Sequence, residues 1–154
     1  MTQGERKHRA GWVIGGLFVL STILGVLAYW RYSVSEHHLK AVFAQMDQAG
    51  KALSAEGCVT ETLRWHREGC EAMQSLCDHA IPMVLTRCLS AKDRTPACKN
   101  LGINQPSKRW TYRMCKERGI SPKDGTKRRL VKACGNAYGS LESFCKSDQK
   151  GVVM

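Results

Sequence analysis

Residues 11–30 read GWVIGGLFVLSTILGVLAYW, twenty positions without a charge, and no other stretch constrains the chain as much. At a rise of about 1.5 Å per residue, about twenty helical residues match the roughly 30 Å hydrocarbon core of a bilayer. Trp12 stands at one end of the run and Tyr29 and Trp30 at the other, where amphipathic rings favour the interface. Arg9 and Arg31 bracket it. Ser33-Val34-Ser35 offers a small-x-small cleavage site, but a signal-peptide core is only about 7–15 residues. The run predicts an uncleaved, single transmembrane helix. Arg6, Lys7 and Arg9 precede it, whereas Arg31 and Lys40 follow, a bias that favours a cytoplasmic N-terminus.

All eight cysteines follow this run: Cys58, Cys70, Cys77, Cys88, Cys98, Cys115, Cys134 and Cys145. An even number at this density reads as a disulfide framework. Zinc sites, haem attachment and thioredoxin-like redox centres draw on closely spaced C-x-x-C pairs, and the chain has none. Met73 and Met114 fit a core better than a soft-metal site. The expectation is four staples, no metal and no cofactor. Disulfides persist in oxidising compartments, so the cysteine-rich part is expected outside the cytoplasm, in the periplasm if the cell is Gram-negative.

The cysteines carry a pattern. RWHREGC at 64–70 recurs as RWTYRMC at 109–115, and the following cysteines keep step: Cys70, Cys88, Cys98 against Cys115, Cys134, Cys145. This spacing predicts a duplicated helical hairpin, with repeats about 64–98 and 109–145. Leu39, Val42, Phe43, Met46 and Leu53 recur at helical spacing over 34–56, with Ser33 and Glu36 as a candidate capping box and Gly57 as a stop. Val59, Leu63, His66, Cys70, Met73, Cys77 and Ala80 form the seam of a helix over 59–80, and Pro82 reads as its break. A short helix over 107–118 should end at Gly119, before the turn SPKDG at 121–125. Leu130, Cys134, Ala137, Leu141 and Phe144 line the last helix.

The fold class expected is all-α: one transmembrane helix, then a small disulfide-stapled helical domain. The segments are a cytoplasmic 1–10, the span 11–30, a juxtamembrane amphipathic helix 31–57, the cysteine-rich domain 58–146 and a disordered tail 147–154. Cys115 and Cys134 flank the 121–125 turn symmetrically, which predicts their bond. Cys88 meets Cys77 if the chain turns at Pro82, or Cys70 if it turns at His79, and spacing alone leaves both open.

No short catalytic or nucleotide-binding motif is present, and no catalytic residue is assigned. His66 lies on an apolar seam and reads as a satisfied core histidine. Glu61, Glu68, Glu71 and Asp78 read as a solvated face, without a pair placed for acid–base work. Charge is more informative. Residues 108–132 hold ten cations against Glu117 and Asp124, leaving +8 of the chain's +11. Candidate anion-binding residues are Lys108, Arg109, Arg113, Lys116, Arg118, Lys127, Arg128, Arg129 and Lys132, interleaved with Trp110 and Tyr112. Clustered cations steer anionic partners, and Arg grips oxyanions with two hydrogen bonds.

The expected function is a non-catalytic, membrane-anchored interaction or assembly module whose basic hairpin meets an acidic protein. A binder of envelope polyanions or anionic lipid is the first alternative, and an unrecognised envelope enzyme the second. An exported location disfavours nucleic acid. Gly11 and Gly15, like Ser21 and Gly25, are four apart, which leaves room for a homodimer or for docking into a larger membrane complex.

Overall fold

The computed structural model describes residues 3–101, 107–120 and 128–147, with side chains from Trp12 onward apart from 13, 14 and 107. The expected turn at 121–125, Lys127 and the tail beyond Ser147 lie outside these residues. Within them every regular element is helical.

Helix α1 runs from Gln3 to Ala52. Its fifty residues, about 75 Å long, join the apolar run to the amphipathic stretch without interruption. No Gly or Pro occurs between Val26 and Ala49 to stop it. Ser33 therefore caps nothing and sits in mid-helix, and Ser35 Oγ bonds back to the Arg31 carbonyl at 2.9 Å. An 18-residue window within Gly15–Ala52 reaches a mean hydropathy of 1.5, and none of it is buried. By length and composition, this helix can cross a membrane.

The turn expected at Gly57 comes earlier. Helix α1 stops at Ala52, and Ser54 caps helix α2, Ala55–Arg64, by accepting from the Gly57 N–H at 3.0 Å. The hydroxyl satisfies a first-turn donor and so places Gly57 inside the new helix. Helix α2 runs on into one π-helical turn, Trp65–Gly69, and the chain then leaves helical geometry through Met73. The single helix expected over 59–80 is thus two. Met73 is exposed rather than on a seam, and Gly69 weakens the helix where it ends.

Helix α3, Gln74–Ser90, contains Pro82 in its interior, so Pro82 is not the break. A mid-helix proline costs about 3 kcal/mol. Helix α3 offsets it by burying Ala80, Ile81, Val84, Leu85, Cys88 and Leu89 among α1, α2 and α6, where each large aliphatic side chain contributes about 1.5–3 kcal/mol. Helix α4 spans Thr95–Asn100, α5 spans Ser107–Glu117 and α6 spans Arg128–Lys146. Gly119, at φ 72°, closes α5: its N–H reaches the Lys116 carbonyl and that of Ile120 reaches Cys115, both at 2.9 Å.

The core joins Val42 and Met46 of α1 to Val59 and Leu63 of α2, to the buried face of α3, to Trp110 of α5 and to Ala137, Tyr138, Leu141 and Phe144 of α6. All eight cysteines are paired: Cys58–Cys88, Cys70–Cys77, Cys98–Cys145 and Cys115–Cys134. The bond expected across the 121–125 turn is present. Cys88 joins neither Cys77 nor Cys70 but Cys58, because the chain turns at Cys70–Met73 and brings the start of α2 to the end of α3. The pairing does not follow the repeat. Cys115 bonds Cys134, whereas Cys70 and Cys88, their counterparts, bond elsewhere, and Cys98–Cys145 links one proposed repeat to the other.

Candidate functional site

Helix α5 is amphipathic in an unusual sense. Its inner face carries Trp110, fully buried and edge-on to Tyr138 with ring centroids 5.6 Å apart, and Cys115, bonded to α6. Lys108, Arg109, Tyr112, Arg113 and Lys116 all lie on the exposed side, at spacings of three and four that share one helical face. Glu117, on the same helix, lies 3.9 Å from Arg113. On α6, Arg128, Arg129 and Lys132 are exposed at the amino end.

These cations do not serve their helices. The amino end of a helix carries a partial positive charge, so Asp or Glu stabilises it and Lys or Arg opposes it. Neither α5 nor α6 has an acidic residue in its first turn, while Lys108, Arg109, Arg128 and Arg129 occupy those turns.

Two of the predicted anion-binding residues are already paired within the protein. Arg118 is partly buried and donates to Tyr138 Oη at 2.5 Å, Thr60 Oγ1 at 2.8 Å and Glu56 Oε2 at 2.6 Å. Tyr138 Oη donates to the same Glu56 oxygen at 2.7 Å. Burial by itself lowers the Arg118 pKa, but the bonds to Glu56 and Tyr138 outweigh it and raise it above the ordinary value. Burial, reinforced by Glu56, pushes the Tyr138 phenol far up. This cluster ties α2 to α6 and the end of α5, and explains why sequence charge alone overcounts the free cations.

Arg129 is the second. Its Nε lies 3.3 Å from Asp78 Oδ1, which also takes a 2.6 Å contact from Nε2 of the buried His66. The His66 hydrogen bond, and then Arg129, hold the Asp78 carboxyl below its usual range. His66 is a satisfied core histidine, as the seam suggested. Its partner Asp78, twelve residues on, was read as solvated because the turn between them was not recognised.

Sequence reasoning also missed a groove. Thr60, Leu63, Arg64, Arg67, Arg118, Gly119, Ile120 and Leu130 enclose about 420 Å³, with apolar residues between three arginines. Arg64 bonds Glu61 and Arg67 bonds Glu68, so local carboxylates already answer two of its charges. Among the described residues no three His, Cys, Asp or Glu side chains converge to hold a metal ion.

Comparison with protein-family models, characterised proteins and solved structures finds no match, so function is argued from this geometry.

Proposed function

We propose that this chain is a membrane-anchored, extracytoplasmic interaction or assembly module without catalytic activity, and that the exposed face of α5, with the amino end of α6, receives an acidic protein. Helix α1 supports the anchor: its apolar, solvent-exposed run is the length of a span. Four disulfides support an oxidising location. The observation that carries the reading is the placement of Lys108, Arg109 and Arg128 in the first turns of two helices, where they oppose the helix dipole instead of complementing it. Cations kept at an energetic disadvantage are accounted for by an anionic partner.

An acidic protein fits better than a phosphate or polysaccharide chain because Tyr112 stands exposed among the cations. Interfaces between proteins favour an aromatic contact ringed by charge. The test is a full-length variant with Lys108, Arg109, Arg113 and Lys116 changed to Gln, solubilised from its native membrane and run as a complex at rising ionic strength. The reading predicts loss of the co-migrating partner in the variant and progressive loss in the wild type above about 0.15 M salt. An unchanged complex in the variant contradicts it.

A further inference from the structure

Because α1 is continuous, the domain is held at a set height above the apolar run. From Trp30, the last residue of that run, to Val42, a core residue, the helix rises only about 18 Å. Beside this stretch of α1 lies the Gly69–Met73 link. It is fixed on both sides: Cys70 bonds Cys77, and His38 Nε2 lies 3.1 Å from the Gly69 carbonyl and 3.3 Å from the Glu71 N–H. Between link and helix is a cleft of about 330 Å³, lined by Trp30, Arg31, Val34 and Ser35 on one side and Glu71, Ala72 and Met73 on the other.

The chemistry of this cleft is mixed in a particular way. Trp30, Val34 and Met73 are 65%, 55% and 41% exposed, an apolar surface left open to solvent. Cations flank it. Arg31 lines the cleft, and Arg129 Nε lies 2.8 Å from the side-chain amide of Gln74, the residue after Met73. Arg128 precedes Arg129 and is exposed. Two carboxylates oppose them: Glu71 on the rim and Asp78, the latter already held by His66 and Arg129.

We infer that this cleft is a phospholipid site, taking an anionic diacyl phospholipid at the headgroup level of the bilayer that α1 enters. Arg31 and Arg128 supply charge to the phosphate end, and Trp30, Val34 and Met73 meet the glycerol and upper acyl region. The inference rests on the anchor reading of α1, which places Trp30 at the interface, where tryptophan is favoured. Continuity with the apolar run selects lipid over a protein partner, since the cleft begins where the run ends. A basic residue near an anionic membrane surface strengthens binding about fivefold.

The full chain is reconstituted into nanodiscs of phosphatidylcholine alone and of phosphatidylcholine mixed with phosphatidylglycerol. Amide exchange is followed over Gly69–Gln74, and phosphatidylglycerol retained per chain is counted by native mass spectrometry. Exchange should slow about tenfold in the mixed discs. Retention should fall about fivefold for each cation removed in the variant Arg31→Gln/Arg128→Gln. Met73→Ser, at an exposed position, should lose the slowing while keeping four disulfides and an unchanged melting temperature. Equal exchange in both discs overturns the lipid site, as does retention unaffected by either variant. Flotation with vesicles separates the two ideas: a chain that floats but exchanges equally keeps its anchor and loses this site, and a chain that does not float loses both.

Discussion

Gly50 of α1 faces the Cys88 carbonyl of α3 so closely that a Cβ on it would lie 2.1 Å from that oxygen and 2.7 Å from the Ala91 methyl. This is where the long helix meets the domain, and its neighbour is backbone, which cannot swing away. Gly50→Ala gains about 1 kcal/mol in helix propensity but forces the two helices apart, and overpacking of a rigid contact costs about 1–3 kcal/mol or more. We expect a net loss, read as a melting temperature lower by several degrees. A variant as stable as the wild type would show that α1 and α3 are not in this register.

Arg94 is buried and serves the same junction from below. Its guanidinium donates to the carbonyls of Gly50 at 2.8 Å and Leu53 at 2.7 Å on the α1 side, and to Cys88 at 3.0 Å and Leu89 at 3.1 Å on α3. Two helix carboxyl ends, each with partial negative charge, thus share one cation. Burial pulls the Arg94 pKa below its ordinary value. Arg94→Met keeps the volume and strands those carbonyls. A loss of about 3 kcal/mol or more in denaturant unfolding is expected, since hydrogen bonds to charged groups contribute about 1.5–3 kcal/mol each.

The disulfides should differ in worth by loop length. Cys98–Cys145 spans 47 residues and Cys70–Cys77 spans 7. If a bridge acts chiefly on the unfolded chain, the longer loop contributes more by about 1.7 kcal/mol. Paired Cys→Ser variants, compared by chemical denaturation, measure that difference. Equal losses would place the stabilisation in native contacts instead.

Acid stability should depend on Asp78. Its pKa is lower folded than unfolded, because His66 and Arg129 favour the carboxylate. The stabilisation is therefore present above about pH 4, the unfolded value, and is lost as pH falls through the folded value. Asp78→Asn should cost about 1–2 kcal/mol at neutral pH and flatten the stability curve below about pH 4. An acid transition unchanged by the substitution would contradict the pairing.

The helical class, the four disulfides and the long apolar helix were legible because each leaves a local mark: periodicity, an even cysteine count, an uncharged run. Cys115–Cys134 was legible because the turn between them is spelled out by SPKDG. The same symmetry holds for Cys58–Cys88, whose midpoint is Met73, and for Cys70–Cys77, which nests inside it. Both were hidden because Pro82 is a stronger turn signal than Gly69, and tertiary burial of α3 overrode it. Cys98–Cys145 has no local mark, since it depends on how α4 and α6 pack. At the candidate site, the exposed cations of α5 follow from helical spacing. The commitment of Arg118 to Glu56 and Tyr138, across 62 and 20 residues, does not.

The most direct test is the intact mass of the protein taken from its native membrane, alkylated first without and then with reduction. The account predicts no alkylation before reduction and eight modified cysteines after it, as an exported, fully crosslinked domain requires. Thiols that react before reductant is added would place the domain in a reducing compartment and contradict it.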